Sequence, residues 1–434
     1  MSVHPTLSRR RLLGGMAQLG LFCAVRPLLA APRELTVLTS YSETVLARME
    51  EAFERAYPQY RLNLLWRMPH DAIGYLSQPR QGDVDVYWAA SPRTFEALRQ
   101  QGAWRALPVA DAGLADHIGA LPLLGPERAY RASELAGYGF AVDPQALAGL
   151  GVAPPKDWSD LADPRLAGRI ALPVPSQVGF APPMIDIVLQ AYGWERGWAL
   201  WSEIAGLSYL VPRGSTFISD QVVGGRAAIG LSIDFFIASA IAGGARLEFL
   251  YPAHGGLNPG QIAIAAASRN GEAAEAFVSF VLSEAGQRVL ADPDIRKLPV
   301  RESVYAQLPA TYHNPFRNAA AGGYDYRGDA GSGRLGLIAA LFEQMLVAQH
   351  ERLVTLWAQL HQLEARRGQR LDDIRGQLGA PLIDEAQAAD VQLLAGYRRN
   401  LEGATTQPDA RELRWAALAE QRYRQVADSL QRLA

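Results

Sequence analysis

The sequence predicts an α/β fold that ends in an all-helical extension, and three observations carry that reading. Short β-branched runs alternate with segments of helical periodicity from Glu34 to Gln101. The 434 residues, 49% hydrophobic and 20% charged, are enough for a substantial core divided into two or three domains. Beyond Thr311 the strand-like runs stop, and leucines recur at helical spacing almost to the C-terminus.

The first residues read as an export signal. Ser8-Arg9-Arg10-Arg11-Leu12-Leu13, an apolar stretch to about Val25 and Leu28-Leu29-Ala30-Ala31 have the layout of a cleavable signal peptide over residues 1–30. Its paired arginines point to the twin-arginine route, so a periplasmic destination is expected. The only cysteine, Cys23, leaves with this segment, and the mature chain has no thiol for a disulfide, a nucleophile or a metal cluster. Removing four arginines and no acid lowers the formal net charge from −2 to −6. A chain that acidic has no general electrostatic pull on nucleic acid or anionic lipid.

In the mature chain, Glu34–Thr39 reads as a buried strand and Ser40-Tyr41-Ser42 as the polar turn after it. Val45, Leu46, Met49, Phe53 and Tyr57 mark a helix that Pro58 closes. Arg61–Trp66 is the next strand, followed by a helical patch over Asp71–Leu76. The strand Asp83–Ala89 ends in a turn at Ser91-Pro92, and a helix runs on to Gln101. The rhythm implies a parallel sheet, in which ligands sit at the carboxyl ends of strands because helix N-termini and loop amides converge there. Ser40 to Ser42 and Trp88 to Ser91 occupy that position, although each alone also fits an ordinary N-cap turn. Gly137–Val142 is a strand that Asp143-Pro144 ends, a natural crossing into a second domain. There, Ser176 and Gly179 precede a helix over Pro182–Tyr192, Arg213-Gly214-Ser215-Thr216 precede one starting near Ser219, and Gly225–Ile233 holds a strand.

The run Pro155, Trp158, Ser159, Asp160, Leu161, Asp163, Pro164, Gly168 and Ile170–Leu172 resembles the extracellular solute-binding family 1 of ABC transporters, which serves ferric iron, polyamine and organophosphate uptake. The order of elements agrees from Glu34 to Arg301, including Ala273–Leu290. The resemblance implies a two-lobed periplasmic-binding-protein fold with hinge strands, closing on a small solute that is handed to an ABC permease, and no enzymatic activity. On this reading residues 31–140 and 236–311 form lobe 1, 141–235 lobe 2, and 312–434 a linker and a C-terminal helical extension. Ferric members of the family use adjacent tyrosines after the last crossing strand, whereas this chain has Asp234-Phe235-Phe236. Phenylalanine cannot ligate iron, which sets ferric binding behind as an alternative. Ile233–Phe236, Phe249–Pro252 and Pro259–Ala263 are similar to phosphoglycerate transport regulatory proteins, which report to a membrane sensor kinase.

The solute implied is a small anion, a phosphorylated or carboxylated organic acid, which calls for helix N-termini, hydroxyls and a guanidinium. Ser176, Gly179, Arg213, Ser215 and Thr216 would supply these from lobe 2, and Ser40, Tyr41, Ser42, Trp88 and Ser91 from lobe 1. Arg213 is the foremost candidate because a guanidinium grips phosphate bidentately; a solvated surface arginine is the plain alternative. Asp234 cannot attract an anion and is expected to orient Arg213, to bind a ligand amine or to cap structure. The histidines are scattered without an HExxH motif, and there is neither a GxSxG elbow nor a Walker loop, so no metal, cofactor or catalytic residue is expected.

Past the linker Tyr312–Gly333, the residues Leu337, Ile338, Leu341, Phe342, Met345, Leu353, Leu356, Trp357, Leu360 and Leu363 predict one long amphipathic helix. Asp384–Leu401 reads as a second helix. Pro408 opens a third, to about Leu433, with Leu413, Leu418, Val426 and Leu430 on one face. These apolar stripes suit either packing against the lobes or docking to a permease or sensor.

Overall fold

The computed structural model describes residues 32–108, 113–212, 216–328, 333–397 and 408–434. The chain opens with β1 (Arg33–Thr39), α1 (Glu43–Ala56), β2 (Tyr60–Trp66), α2 (Pro69–Leu76), β3 (Val86–Ala89) and α3 (Pro92–Gln100). β2 and β3 flank β1 in parallel, with Val37 opposite both Leu64 and Val86. α1 buries Val45, Leu46, Met49 and Phe53, the stripe its periodicity requires. The strand expected from Asp83 begins only at Val86, because Arg80 to Asp83 all adopt positive φ and cannot extend.

A short hairpin, β4 (His117–Ile118) and β5 (Leu121–Pro122), leads to β6 (Arg131–Val142), which is buried along its whole length. After it come α4 (Pro144–Leu150), β7 (Ile170–Pro173), α5 (Ala181–Tyr192), α6 (Trp194–Leu207), β8 (Ser208–Val211), α7 (Thr216–Val223), β9 (Ile229–Ile233), α8 (Asp234–Ala242), β10 (Glu248–Leu250) and β11 (Leu257–Ile264). The main sheet runs β2-β1-β3-β11-β6-β9-β7-β8, with β10 added on β6.

β6 joins the two halves of this sheet. Its residues Arg131 to Gly137 pair with β11, and Tyr138 to Val142 pair with β9. The first half is therefore β1, β2, β3 and β11, and the second β7, β8, β9 and β10. Close approach explains the glycines at the changeover: a Cβ on Gly137 would stand 2.5 Å from the Tyr251 ring, and one on Gly139 would stand 2.3 Å from the Leu250 carbonyl. The chain leaves the second half after Leu250 rather than at Phe236, because β10 pairs with Phe140 to Val142. The helices α9 (Gly271–Leu282) and α10 (Glu284–Leu290) then cover the first half. Ser283 divides what read as one helix, its hydroxyl accepting from the Gly286 amide.

In the segment expected to be a linker, the described residues up to 328 pack on both halves. Beyond α11 (Pro315–Ala320), Tyr324 is buried in the core of the first half and Tyr326 in that of the second. Residues 324–326 thus make a third crossing beside β6 and the Tyr251–Gly256 stretch.

The C-terminal helices belong to the second half. Leu337, Leu341, Phe342, Leu353 and Trp357 share one core with Trp194, Trp198 and Trp201. At roughly 1.5–3 kcal/mol for each fully buried side chain, this contact is part of the lobe's core rather than an appendage. Buried charge reinforces it: Arg375 meets both Glu203 oxygens at 2.7 Å and Glu364 at 2.7 Å, and His361 Nε2 lies 2.9 Å from Glu203.

Three expectations for this region change. The long helix is divided, with Leu335–Phe342, a π-helical turn at Glu343–Val347 and a helix over His350–Arg367. The segment from Asp384 forms two short helices, Glu385–Ala388 and Val391–Tyr397, and residues 398–407 lie outside the described residues. The last helix is Ala410–Leu433, capped by Asp409, whose carboxylate accepts from the Arg411 and Glu412 amides, with Pro408 one residue outside. Its buried face is Trp415, Ala419, Tyr423, Val426 and Leu430, while Leu413 and Leu418 point outward.

Candidate functional site

At the carboxyl ends of the first three strands the sequence-predicted residues divide by burial. Ser40 is half-buried, and Ser42 stands at the N-cap of α1 without a side-chain cap bond. Ser91 stands at the N-cap of α3, likewise without a side-chain cap bond, its hydroxyl 2.7 Å from Thr94 Oγ1. Trp88 is fully buried and donates its indole N–H to Ser133 Oγ at 2.9 Å, so it serves the core, not a cleft wall. The same strand-end rule applied to β2 finds what the sequence reading passed over: Trp66 and Met68 are exposed and flank Arg67, whose amide donates to the Thr39 carbonyl. Arg93, in the first turn of α3, was also passed over. Burial raises the Tyr138 hydroxyl above its ordinary range and the Arg93 charge pulls it back.

Beneath these ends lies a buried polar cluster where β6 changes halves. Tyr41 donates its hydroxyl to Glu134 Oε1 at 2.8 Å, and Lys297 Nζ donates to the same oxygen at 3.2 Å. The Lys297 ammonium is 3.6 Å from the centre of the Phe235 ring, which comes from the other half. Asp234 Oδ2 accepts from the Gly137 amide at 2.8 Å and from the Tyr251 hydroxyl at 3.0 Å. Burial pushes the Asp234 carboxyl up to about 7, against the Gly137 hydrogen bond and the Lys297 charge, which both lower it. Of the roles expected for Asp234, the geometry shows the structural one: it ties β9 to β6 and to Tyr251. The Tyr251 ring stacks on His313 at 3.5 Å, and His313 bonds the Tyr324 hydroxyl of the third crossing. Burial holds His313 down at about 4, so it is neutral at physiological pH.

In the second half, Ser176 donates its hydroxyl to Glu343 Oε2 at 2.7 Å, which engages it with the C-terminal helices. Gly179 is exposed with open space over its Cα, next to Phe180. Phe180, Phe235 and Phe236 form an aromatic wall, with centroids 5.7 Å apart for Phe180 and Phe236 and 4.1 Å for Phe235 and Phe236. Arg213 and Ser215 lie outside the described residues, and Thr216 is placed only as the first residue of α7. Among the described residues no group of three or more His, Cys, Asp or Glu side chains could hold a metal ion.

The Trp158 motif has a visible task at the second crossing. Trp158 Nε1 donates to the His254 carbonyl at 2.8 Å, and Asp157 accepts from the His254 amide, from its ring Nδ1 at 2.6 Å and from the Tyr192 hydroxyl at 2.6 Å. Burial opposes ionisation of Asp157, but the Tyr192 and His254 hydrogen bonds outweigh it and hold the carboxyl below its ordinary value.

Comparison with known proteins gives a consistent picture. The model of a family described as bacterial extracellular solute-binding protein matches residues 87–320. The phosphoglycerate transport regulatory protein PgtC of Salmonella typhimurium is 26% identical over 384 residues, which cover 85% of this chain and 90% of PgtC. Among solved structures, the periplasmic binding protein AfuA from Actinobacillus pleuropneumoniae, with fructose-6-phosphate bound, superposes with a TM-score of 0.52 at 17% identity, covering 75% of this chain and 97% of AfuA. Iron-bound HitA from Pseudomonas aeruginosa gives 0.54 at 16% identity, covering 66% and 92%. These likenesses show the two-lobed fold.

Proposed function

Because this chain belongs to the bacterial extracellular solute-binding proteins, we propose that it captures a small phosphorylated or carboxylated organic acid between its lobes and presents it to an ABC permease. The observation that carries the anion reading is the pair of arginines at the ends of the two strands that flank β1, Arg67 after β2 and Arg93 in the first turn of α3 after β3. They stand beside the N-termini of α1, α2 and α3, where amides and helix dipoles favour negative charge. The name of PgtC and the sugar phosphate bound to AfuA point to the same chemistry. Arg213 and Ser215 before α7, Thr216 at its first position and Gly179 before α5 complete the proposed contacts from the second lobe. The lobes so proposed are residues 32–137 with 257–311, and residues 138–250 with the C-terminal helices.

The test is titration of the purified mature protein with 3-phosphoglycerate, phosphoenolpyruvate, ferric citrate and spermidine. A phosphorylated acid is expected to give binding heat and a raised melting temperature. Arg93→Ala and Arg67→Ala should each weaken it about tenfold or more, as loss of a charge-assisted hydrogen bond does. No response to either phosphorylated acid, with a response to ferric citrate, would sink the reading. Unchanged affinity in Arg213→Ala would remove that residue alone. The word "regulatory" in the name of PgtC favours a second reading, a sensor subunit for a membrane kinase; it predicts that deleting the gene silences ligand-induced transcription even where the solute enters by another carrier. For export, we propose the twin-arginine route, and replacing Arg9 and Arg10 by Lys should then leave precursor in the cytoplasm.

A further inference from the structure

We propose that the buried cluster at the junction of the lobes is the inner subsite of the cleft, and that it selects anionic solutes carrying a free hydroxyl. The proposal rests on the anion reading above and narrows its solute class. Two carboxylate oxygens carry it. Glu134 Oε2 and Asp234 Oδ1 have no hydrogen-bond partner among the described residues, in side chains from positions 0% and 4% exposed. Buried acceptors are satisfied in nearly all native structures, so two unmet oxygens in one cluster call for a donor from outside the fold.

The donors around them are committed elsewhere. The Tyr41 hydroxyl goes to Glu134 Oε1, and the Gly137 amide and the Tyr251 hydroxyl go to Asp234 Oδ2. Lys297 Nζ lies 3.2 Å from Glu134 Oε1 and 3.6 Å from the ring centre of Phe235, the residue next to Asp234, which places the three charged groups in one neighbourhood. They come from both lobes: Glu134 from the part of β6 that pairs with β11, Lys297 from the turn after α10, and Asp234 from the start of α8. That is the floor of a two-lobed cleft. Tyr41, at one side of the cluster, also lines a groove with Ser42, Glu43 and Trp66 at the ends of β1 and β2.

The charge balance selects the donor. Lys297, one of only two lysines in the chain, already faces Glu134 at 3.2 Å. A metal ion in the same space would meet that ammonium and only two carboxylates, too few hard ligands for a protein-held cation. A hydroxyl donates to a carboxylate without adding charge, and the Phe235 ring gives its carbon an apolar wall. The ligand is then bipolar, with its anionic group at the arginines and strand ends and its hydroxyl on the floor.

The experiment compares matched pairs on the intact mature protein by calorimetry. D-3-phosphoglycerate is set against 3-phosphooxypropionate, which lacks only the hydroxyl, and glycerol 3-phosphate against propyl phosphate. The hydroxylated member should bind about 10- to 100-fold tighter, the range for a hydrogen bond to a charged acceptor. The gap should shrink in Glu134→Gln or Asp234→Asn, where an acceptor oxygen becomes an amide; should either fail to fold, the wild-type pairs still decide. Equal affinities within both pairs overturn the hydroxyl subsite and leave the anion reading standing. If neither member of either pair binds, the anion reading has failed and the subsite with it. Tighter binding of O-phosphoserine than of 3-phosphoglycerate overturns the hydroxyl in favour of an ammonium.

Discussion

Asp234 gives the sharpest quantitative test of the hinge. Its carboxyl is raised by burial to about 7, from 3.8 in an unfolded chain. Between those values the folded state holds a proton that the unfolded state has lost, so stability falls as pH rises through that window. At roughly 1.4 kcal/mol per factor of ten in proton affinity, the whole shift amounts to about 4 kcal/mol, of which about 3 kcal/mol is lost between pH 5 and pH 8. Asp234→Asn keeps the side-chain shape and an acceptor for the Gly137 amide but cannot ionise. The variant and the wild type should therefore differ little at pH 5. For about 400 residues unfolding entropy is roughly 0.8 kcal/mol/K, so by pH 8 the variant should have gained about 3 °C in melting temperature over the wild type. Differential scanning calorimetry of the ligand-free proteins across that range measures this. His313, whose burial keeps it neutral, contributes a slope of opposite sign as pH falls below 6.5, but it is common to both proteins and cancels. Parallel melting curves from pH 5 to 8 would mean that Asp234 does not titrate there and that the hinge is better solvated than the structure places it.

Ending the chain at residue 333 should yield insoluble or molten protein, since it strips Leu337, Phe342 and Trp357 from the core they share with Trp198 and Trp201; a soluble product with the wild-type melting temperature would refute the shared core. Gly206→Ala should lower stability by about 1–3 kcal/mol, read by calorimetry, because the new methyl would sit 2.3 Å from the Trp357 ring. Arg375→Met should cost about 3–5 kcal/mol by leaving Glu203 and Glu364 buried without their cation, a loss expected to ease as low pH neutralises both acids. Trp158→Phe should cost about 1 kcal/mol and speed amide exchange around residues 253–256, as the His254 carbonyl loses its indole donor.

The parallel half of the fold was legible because it is built from local signals. β1, α1 and β2 fall within a residue or two of their expected bounds, since apolar periodicity, Pro58 and the Ser40 turn are all short-range. The second lobe was readable mainly through the Trp158 motif, whose task, holding His254 at a crossing, depends on residues almost a hundred positions away. The candidate site was only partly legible. Strand-end serines can be named from sequence, yet Trp88 shares their stretch and is core, because β3 lies inside the sheet between β1 and β11 and is buried on both faces. Glu134 and Lys297 belong to no motif; only the pairing of β6 with β11 and the turn after α10 bring them together. In the last helix Val426 and Leu430 lie on the buried face as expected, whereas Leu413 and Leu418, expected there on hydropathy alone, do not, and Trp415, Ala419 and Tyr423 hold those turns of the face.

The third crossing changes what the extension means. An apolar stripe on a C-terminal helix reads equally well as packing or as docking until its partner is known, and here the partner is the second lobe itself. The strap that leads to it is fixed at both ends. On the first lobe the Ala120 amide donates to the Tyr324 carbonyl, and on the second Arg327 and Gln190 exchange two hydrogen bonds while Arg334 pairs with the buried Asp186 at 2.6 Å. Only residue 325 separates the tyrosines anchored in opposite lobes. A two-strand hinge leaves rotation about the axis through its strands comparatively free, whereas a third tether restricts that rotation to what one intervening residue permits. Asp234, Tyr251, His313 and Tyr324 form a continuous set of contacts from β6 through the second crossing to this tether. A solute hydroxyl on Asp234 would thus touch all three crossings through one carboxylate, which gives a binding event on the cleft floor a direct physical route to the helices that the second lobe carries.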